Sequence, residues 1–199
     1  MSYVMSMDQS ISNVDNYSAY GEAIVGGEGS PWGLPDVDTG TDSSDNSYAY
    51  LQWGGDVNDG GLDTGAIGFH LNADLATGVD TLTVDGVATT YDGNASGNVG
   101  SVEVRVGADV PAQASLTGIA VSFYQGGTLR ETDSVSGLSV DTTASSSTGT
   151  AEDILIVTPA SQNNDQVIVS GAMRMIAPVG TYPGPTDIFC QAFIKPASA

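Results

Sequence analysis

Apolar side chains in this chain recur at every second residue, in short runs closed by glycine, aspartate or asparagine. Ile67, Phe69 and Leu71 alternate with Gly68, His70 and Asn72. Val102, Val104 and Val106 alternate with Glu103, Arg105 and Gly107. Ile119, Val121 and Phe123 alternate with Ala120, Ser122 and Tyr124. Val167, Val169, Gly171, Met173 and Met175 stand opposite Ile168, Ser170, Ala172 and Arg174. A period of two puts one set of side chains on one face of a pleated strand, so each run predicts a strand with an apolar face turned to a core. No window of helical length repeats its apolar residues every 3.6 positions, and the 26 glycines weigh against long helices.

The turns between runs carry their own chemistry. Asp85-Gly86 separates Thr81–Val84 from Val87–Tyr91, and Asp-Gly accepts the positive φ angles of a tight hairpin turn. Asp153–Val157 is a continuous apolar run after its first residue and predicts a strand buried on both faces. Ser47–Trp53 is an early strand and Ile188–Ile194 the last. Val140–Thr150, rich in Ser and Thr, reads as a low-complexity loop or edge. Roughly eight to ten strands at this spacing predict an all-β, antiparallel β-sandwich, jelly-roll-like. Residues 1–45, rich in Ser, Asp, Asn, Gly and Pro, form an extended N-terminal arm ahead of a sandwich domain over 46–199. The arm has two resting places open to it, a neighbouring subunit or its own domain.

Composition narrows the function classes. Hydrophobic residues make up 40% of the chain, enough for one core, yet no apolar run approaches the roughly 20 residues that span a bilayer, so no membrane insertion is expected. Asp and Glu number 24 against 4 Lys and Arg, a formal charge of -20. Binding to a phosphate backbone draws on cations that release counterions, so nucleic acid is not an expected partner. The cations are Arg105, Arg130, Arg174 and Lys195; with Pro196 after Lys195, trypsin-like proteases find few cleavage sites. The lone Cys190 allows no intrachain disulfide, and its apolar surroundings predict a buried core thiol. The opening MSYVMSMDQS lacks a basic and an apolar signal region. The expected route to the protein's destination is one without such a signal, as for a virion protein made in a host cytoplasm, unless a signal lies outside this stretch.

Two acidic clusters have oxygen-ligand chemistry. Asp36, Asp38 and Asp42, with Asp45 following, space carboxylates around Gly40 and form a candidate Ca²⁺ site. They lack the twelfth-position glutamate and flanking helices of an EF-hand. Asp56, Asn58, Asp59 and Asp63 are a similar set. The competing reading of both is Asx-turns in acidic loops. His70, the only histidine, falls on the polar side of its strand. A Ser/His/Asp site would need it, and no nucleophile elbow is present. A Cys190/His70 pair has no cations around it to lower the thiol pKa. Catalytic residues are therefore not expected, and the chain reads as non-enzymatic. Tyr48 and Tyr50 fall on one face of a strand and Trp53 on the other, which splits any sugar-stacking platform. Asn16-Tyr17-Ser18 and Asn94-Ala95-Ser96 match the N-glycosylation pattern.

The Gly/Pro-rich leader, the lead-in Thr41-Asp42-Ser43-Ser44-Asp45-Asn46-Ser47-Tyr48 and the strand-rich body together resemble virion structural proteins of tailed phages, in particular small jelly-roll head-decoration or accessory subunits. The resemblance implies a non-catalytic structural protein on the virion surface, with copies of itself or a major capsid protein as partners. A subunit of an extracellular filament or surface layer shares the same assembly logic. A calcium-stabilised carbohydrate-binding sandwich is the reading from another class.

Overall fold

The computed structural model describes residues 2–6, 18–25, 35–42, 45–50, 62–92, 97–108, 111–143, 151–178 and 188–197, with backbone alone for 2–6, 24–25, 35–42, 45–50 and 62. These residues form antiparallel strands in two sheets and no helix. In chain order the strands are β1 (Ser2–Ser6), β2 (Ala19–Val25), β3 (Pro35–Asp42), β4 (Asp45–Tyr50), β5 (Leu62–Asp63), β6 (Ile67–Asp74) and β7 (Val79–Val84). They continue as β8 (Val87–Asp92), β9 (Val99–Ala108), β10 (Gln113–Gln125), β11 (Thr128–Asp141), β12 (Ala151–Thr158), β13 (Gln166–Ala177) and β14 (Ile188–Pro196). Sheet A runs β1-β12-β9-β14-β2-β3-β4. Sheet B runs β11-β10-β13-β6-β7-β8, with β5 paired to β13.

The expected antiparallel sandwich is the observed fold. Between β9 and β14 the chain passes repeatedly from one sheet to the other, so β9 neighbours β12 and β14 rather than β10. This is the non-consecutive wiring of a Greek-key, jelly-roll-like sandwich. The described parts of the leader belong to the chain's own sheet. β1 pairs with β12, β2 with β14, and β3 with β2 and β4. Extended polar backbone finds its hydrogen-bond partners there by completing sheet A.

The core between the sheets is aliphatic with two phenylalanines, Phe69 and Phe123. Leu71, Leu82 and Val84 of sheet B and Val102, Val104 and Val106 of sheet A are all buried in it. Truncating a side chain of this size in such a core costs about 2–5 kcal/mol. Gly21 permits the sheets their close approach, since a Cβ there would stand 2.8 Å from Leu71 Cδ1. The Asp85-Gly86 turn has φ angles of 49° and 77°, the left-handed pair the sequence predicts.

Strands β10 and β11 change phase together. Before Gly118 the even residues Ala114 and Leu116 face the core, and after it the odd residues Ile119, Val121 and Phe123 do. Gly118 has a φ of 60°, and Gly137 opposite Thr117 makes the matching change on β11. A single irregularity at glycine lets one long strand keep an apolar face through a change of parity. β12 comes close to the expected strand buried on both faces: Leu155 and Val157 enter the core, Ile154 is buried on the other side, and Asp153 and Ile156 are half-buried. On its outer side Glu152 and Ile154 are buried and Ile156 is half-buried, so burial on that side is nearly as complete as on the core side.

Candidate assembly surface

Antiparallel register brings residues far apart in sequence into rows across sheet B. One row on its outer face reads Thr132, Ser122, Ile168, Asn72, Thr81 and Thr90 from β11 to β8. The next reads Ser134, Ala120, Ser170, His70, Thr83 and Ala88. Gly137, Thr117, Ala172 and Gly68 continue the face toward the far end. All are exposed or half-buried, and none is Asp, Glu, Lys or Arg. In a chain of formal charge -20, a contiguous face without a carboxylate is a marked departure from the rest.

Short side chains and mutual hydrogen bonds line this face. Ser122 and Thr132 hydroxyls lie 3.0 Å apart, and those of Thr81 and Thr90 3.2 Å apart. The Gln166 amide donates to Asn72 Oδ1 at 2.8 Å, and Thr117 donates to the Ala172 carbonyl at 3.2 Å. Charge appears at the ends of the strands. At one end stand Asp74 and Asp92. At the other, Arg174 makes a bidentate contact with Asp63 at 2.9 and 2.6 Å, and Gln113 donates to Asp141 at 3.0 Å. The arginine holds Asp63 at a pKa of about 2. An open groove of about 270 Å³ lies beside these last residues, between Ser115, Ser139 and Arg174.

The edge of sheet B is less inviting than its face. β11 turns Asp133 inward at 6% exposure and Glu131 beside it, with Asp133 Oδ2 and Glu131 Oε1 making no hydrogen bond among the described residues. Burial, followed by the Glu131 charge, raises the Asp133 pKa. Asp153 caps the Ser139 N–H at 3.0 Å, and the register shifts opposite Phe123 and Tyr124. Inward charges and bulges on an edge strand resist the addition of another strand.

The outer face of sheet A carries an ionic belt across β9, β14 and β2. Glu103, 4% exposed, accepts hydrogen bonds from Arg105, 6% exposed, and from Lys195. The Arg105 guanidinium lies 5.0 Å from the Phe193 ring centroid, and Tyr20 stacks on that ring from the other side of β14 at 6.2 Å. Gln191 donates to Glu22 in the adjoining row. Burial pushes the Glu103 carboxyl up, but the Lys195 hydrogen bond and the Arg105 charge outweigh it, and the pKa is lowered. Both cations are consumed internally, so the belt joins strands rather than presenting a binding site. Its pairs, up to |i−j| = 169 for Gln191 and Glu22, have no local sequence signal.

The candidate metal ligands divide between two strands. Asp36, Asp38 and Asp42 lie on β3 and Asp45 opens β4, with Asp36 opposite Tyr50, Asp38 opposite Tyr48 and Asp42 opposite Asp45. Their side chains lie outside the described residues. Among the described residues no cluster of three metal-ligating side chains occurs. Asp56, Asn58 and Asp59 lie outside the described residues, as do Trp32, Trp53 and the glycosylation asparagines Asn16 and Asn94. Asp63, the last of the second cluster, is engaged by Arg174. His70 stands on the outer face of sheet B, as expected, while Cys190 is buried in the core on the inner side of sheet A. The sandwich core lies between them, so they form no pair. Burial, with Glu22 adding, raises the Cys190 thiol pKa and keeps it protonated.

No family model matches the chain, and no curated protein matches it. Among solved structures, T=1 particles derived from infectious bursal virus share 12% identity with it at a TM-score of 0.16. Infectious bursal disease virus strain Gt shares 12% identity at a TM-score of 0.17. Each alignment covers 99% of this chain, which spans about 60% of the length of the chains it matches, and neither neighbour is a tailed-phage protein. Likeness at this level bears on neither fold nor function, and the fold rests on the strand pairing itself.

Proposed function

We propose that the chain is a non-catalytic structural subunit that assembles with copies of itself, with a virion surface as its setting. The observation that carries this reading is the uncharged outer face of sheet B on a polyanion. Two copies at -20 each repel wherever their carboxylates meet. The two rows through Ser122 and Ser170 offer a surface on which they can touch without that repulsion. The virion setting is supported by the sequence's resemblance in leader and strand style; an extracellular filament or surface layer would use the same surface.

Analytical ultracentrifugation of the full chain tests the reading. Self-association is expected and should strengthen as salt rises, because screening shortens the reach of the net charge to about 8 Å at physiological ionic strength. Ala120→Asp and Ser170→Asp, which place carboxylates in the centre of the face, should shift the protein toward monomer. A protein monomeric at all concentrations and salt levels would refute the proposal and favour the carbohydrate-binding module.

A further inference from the structure

We infer that two copies pack sheet B against sheet B about a two-fold axis parallel to the strands, so that Arg130 of each copy meets Asp92 of the other. The inference rests on the self-association reading and adds to it a symmetry and a contact pair.

The first observation is the corner of the β10–β11 hairpin. Three of the four cations are taken by internal ion pairs: Arg105 and Lys195 by Glu103, and Arg174 by Asp63. Arg130 is exposed and makes no ion pair among the described residues. Its neighbour Leu129, at 53% exposure, is the more exposed of the two large apolar side chains on the described surface. Tyr124, opposite Leu129 in the register, is half-buried beside them. Aromatic, arginine and aliphatic groups side by side are the composition of an interface anchor.

The corner is also held still. The turn passes through Gly126 and Gly127, both at positive φ. Asp165 accepts the Gly126 N–H on both carboxylate oxygens at 3.0 Å and donates its own N–H to the Tyr124 carbonyl at 3.0 Å. The Ala160 N–H bonds Glu131 Oε2 at 3.0 Å on the returning strand. A turn fastened on both strands gives up little further entropy when a partner binds.

The second observation is what lies at the other end of the same row. From β11 across the sheet it reads Leu129, Tyr124, Gln166, Asp74, Val79 and Asp92. A two-fold axis along the strands, between β13 and β6, reverses left and right while keeping position along the strands. It sets Gln166 over the second copy's Asp74, Tyr124 over its Val79, and the Leu129–Arg130 corner over its exposed Asp92. Each contact is then donor to acceptor, apolar to apolar, or cation to anion, and each occurs twice. In the central rows, hydroxyls, Ile168 and Ala120 meet uncharged partners. Parallel or nearly parallel alignment is also the usual way that two sheets pack.

Area is sufficient. Six strands at about 4.8 Å spacing and three rows at about 6.7 Å give a face of about 600 Å² per copy. Both copies together bury about 1,200 Å², the lower end for a specific interface. The inward charges and bulge of β11 disfavour strand addition at that edge of sheet B.

The test is a charge swap in the full chain, read by sedimentation equilibrium, with far-UV circular dichroism confirming the fold of every variant. Arg130→Asp and Asp92→Arg should each weaken the dimer about ten-fold or more. The double variant should recover most of the wild-type affinity. A double variant no tighter than the singles overturns the proposal. If Ala120→Asp disperses the dimer while Arg130→Asp leaves it unchanged, the face is the contact but the two-fold arrangement is wrong. A wild-type protein that never dimerises overturns this inference and the assembly reading together.

Discussion

The ring tip of Phe189 packs against Gly107, its register partner across β9 and β14, and a Cβ at that glycine would collide with ring Cζ and Cε1. The ring is 2% exposed because the glycine leaves room for it against the backbone of sheet A. Gly107→Ala should therefore displace the ring and destabilise the protein by about 1–3 kcal/mol, the usual penalty of overpacking. Chemical denaturation checks this. In a Phe189→Leu background the same substitution should cost markedly less, and equal penalties in both backgrounds would show that the two residues are not coupled.

Glu103 is the shared acceptor of a nearly buried cluster, and its loss leaves Arg105 without a counterion among the described residues. Glu103→Gln should cost about 3–5 kcal/mol, the range for breaking a buried pair from one side. Lys195→Met should cost much less, about 1 kcal/mol or under, since its side chain is 42% exposed. The folded pKa of Glu103 lies below the unfolded value, so its contribution is full above the unfolded pKa and is lost as pH falls through the folded one. The stability gap between wild type and Glu103→Gln should thus narrow on acidification. A gap that stays constant down to acid pH contradicts the assignment.

Asp133 behaves in the opposite sense. Its folded pKa is raised, so the ionised carboxylate destabilises the fold at neutral pH, and that penalty is relieved as pH falls through the folded pKa toward the unfolded value. Asp133→Asn should raise the melting temperature at pH 7 and lose its advantage in acid. Freeing a buried acceptor of this kind is worth about 1–3 kcal/mol. Because an inward charge also guards the edge, Asp133→Val should increase light scattering on prolonged incubation. A variant no more stable than wild type at pH 7 would show that the carboxylate has a partner in solution.

Arg174 and Asp63 form the exposed counterpart, with both side chains 49% exposed. Arg174→Ala should change stability by less than about 1 kcal/mol, and the change should shrink with added salt. A salt-independent loss of several kcal/mol would mean that the arginine acts by packing in the neighbouring groove and not by charge.

Local rules made much of the fold legible. The alternation of Ile67, Phe69 and Leu71 and of Val167 to Met175 fixes which side chains enter the core, because successive Cβ atoms point to opposite faces whatever the strand pairs with. Asp85-Gly86 states its own turn, and the apolar neighbours of Cys190 place it inside. In β10 the alternation of Ile119, Val121 and Phe123 was plain. The reversal at Gly118 was not, because a glycine in a strand does not announce whether parity changes across it. The carboxylates of β3 were conspicuous by spacing alone, and spacing says nothing about whether backbone wraps or extends.

Register is what the tertiary structure alone decided. Ser122, Ile168, Asn72 and Thr81 become one row only after β10 has chosen β13, β13 has chosen β6 and β6 has chosen β7. Lys195 likewise finds Glu103 only when β14 settles beside β9. The side-chain period of a strand is a local steric fact, carried by the sequence itself. The partner of a strand is settled by the joint burial of apolar faces from the whole chain, and the uncharged surface exists only as a product of that choice.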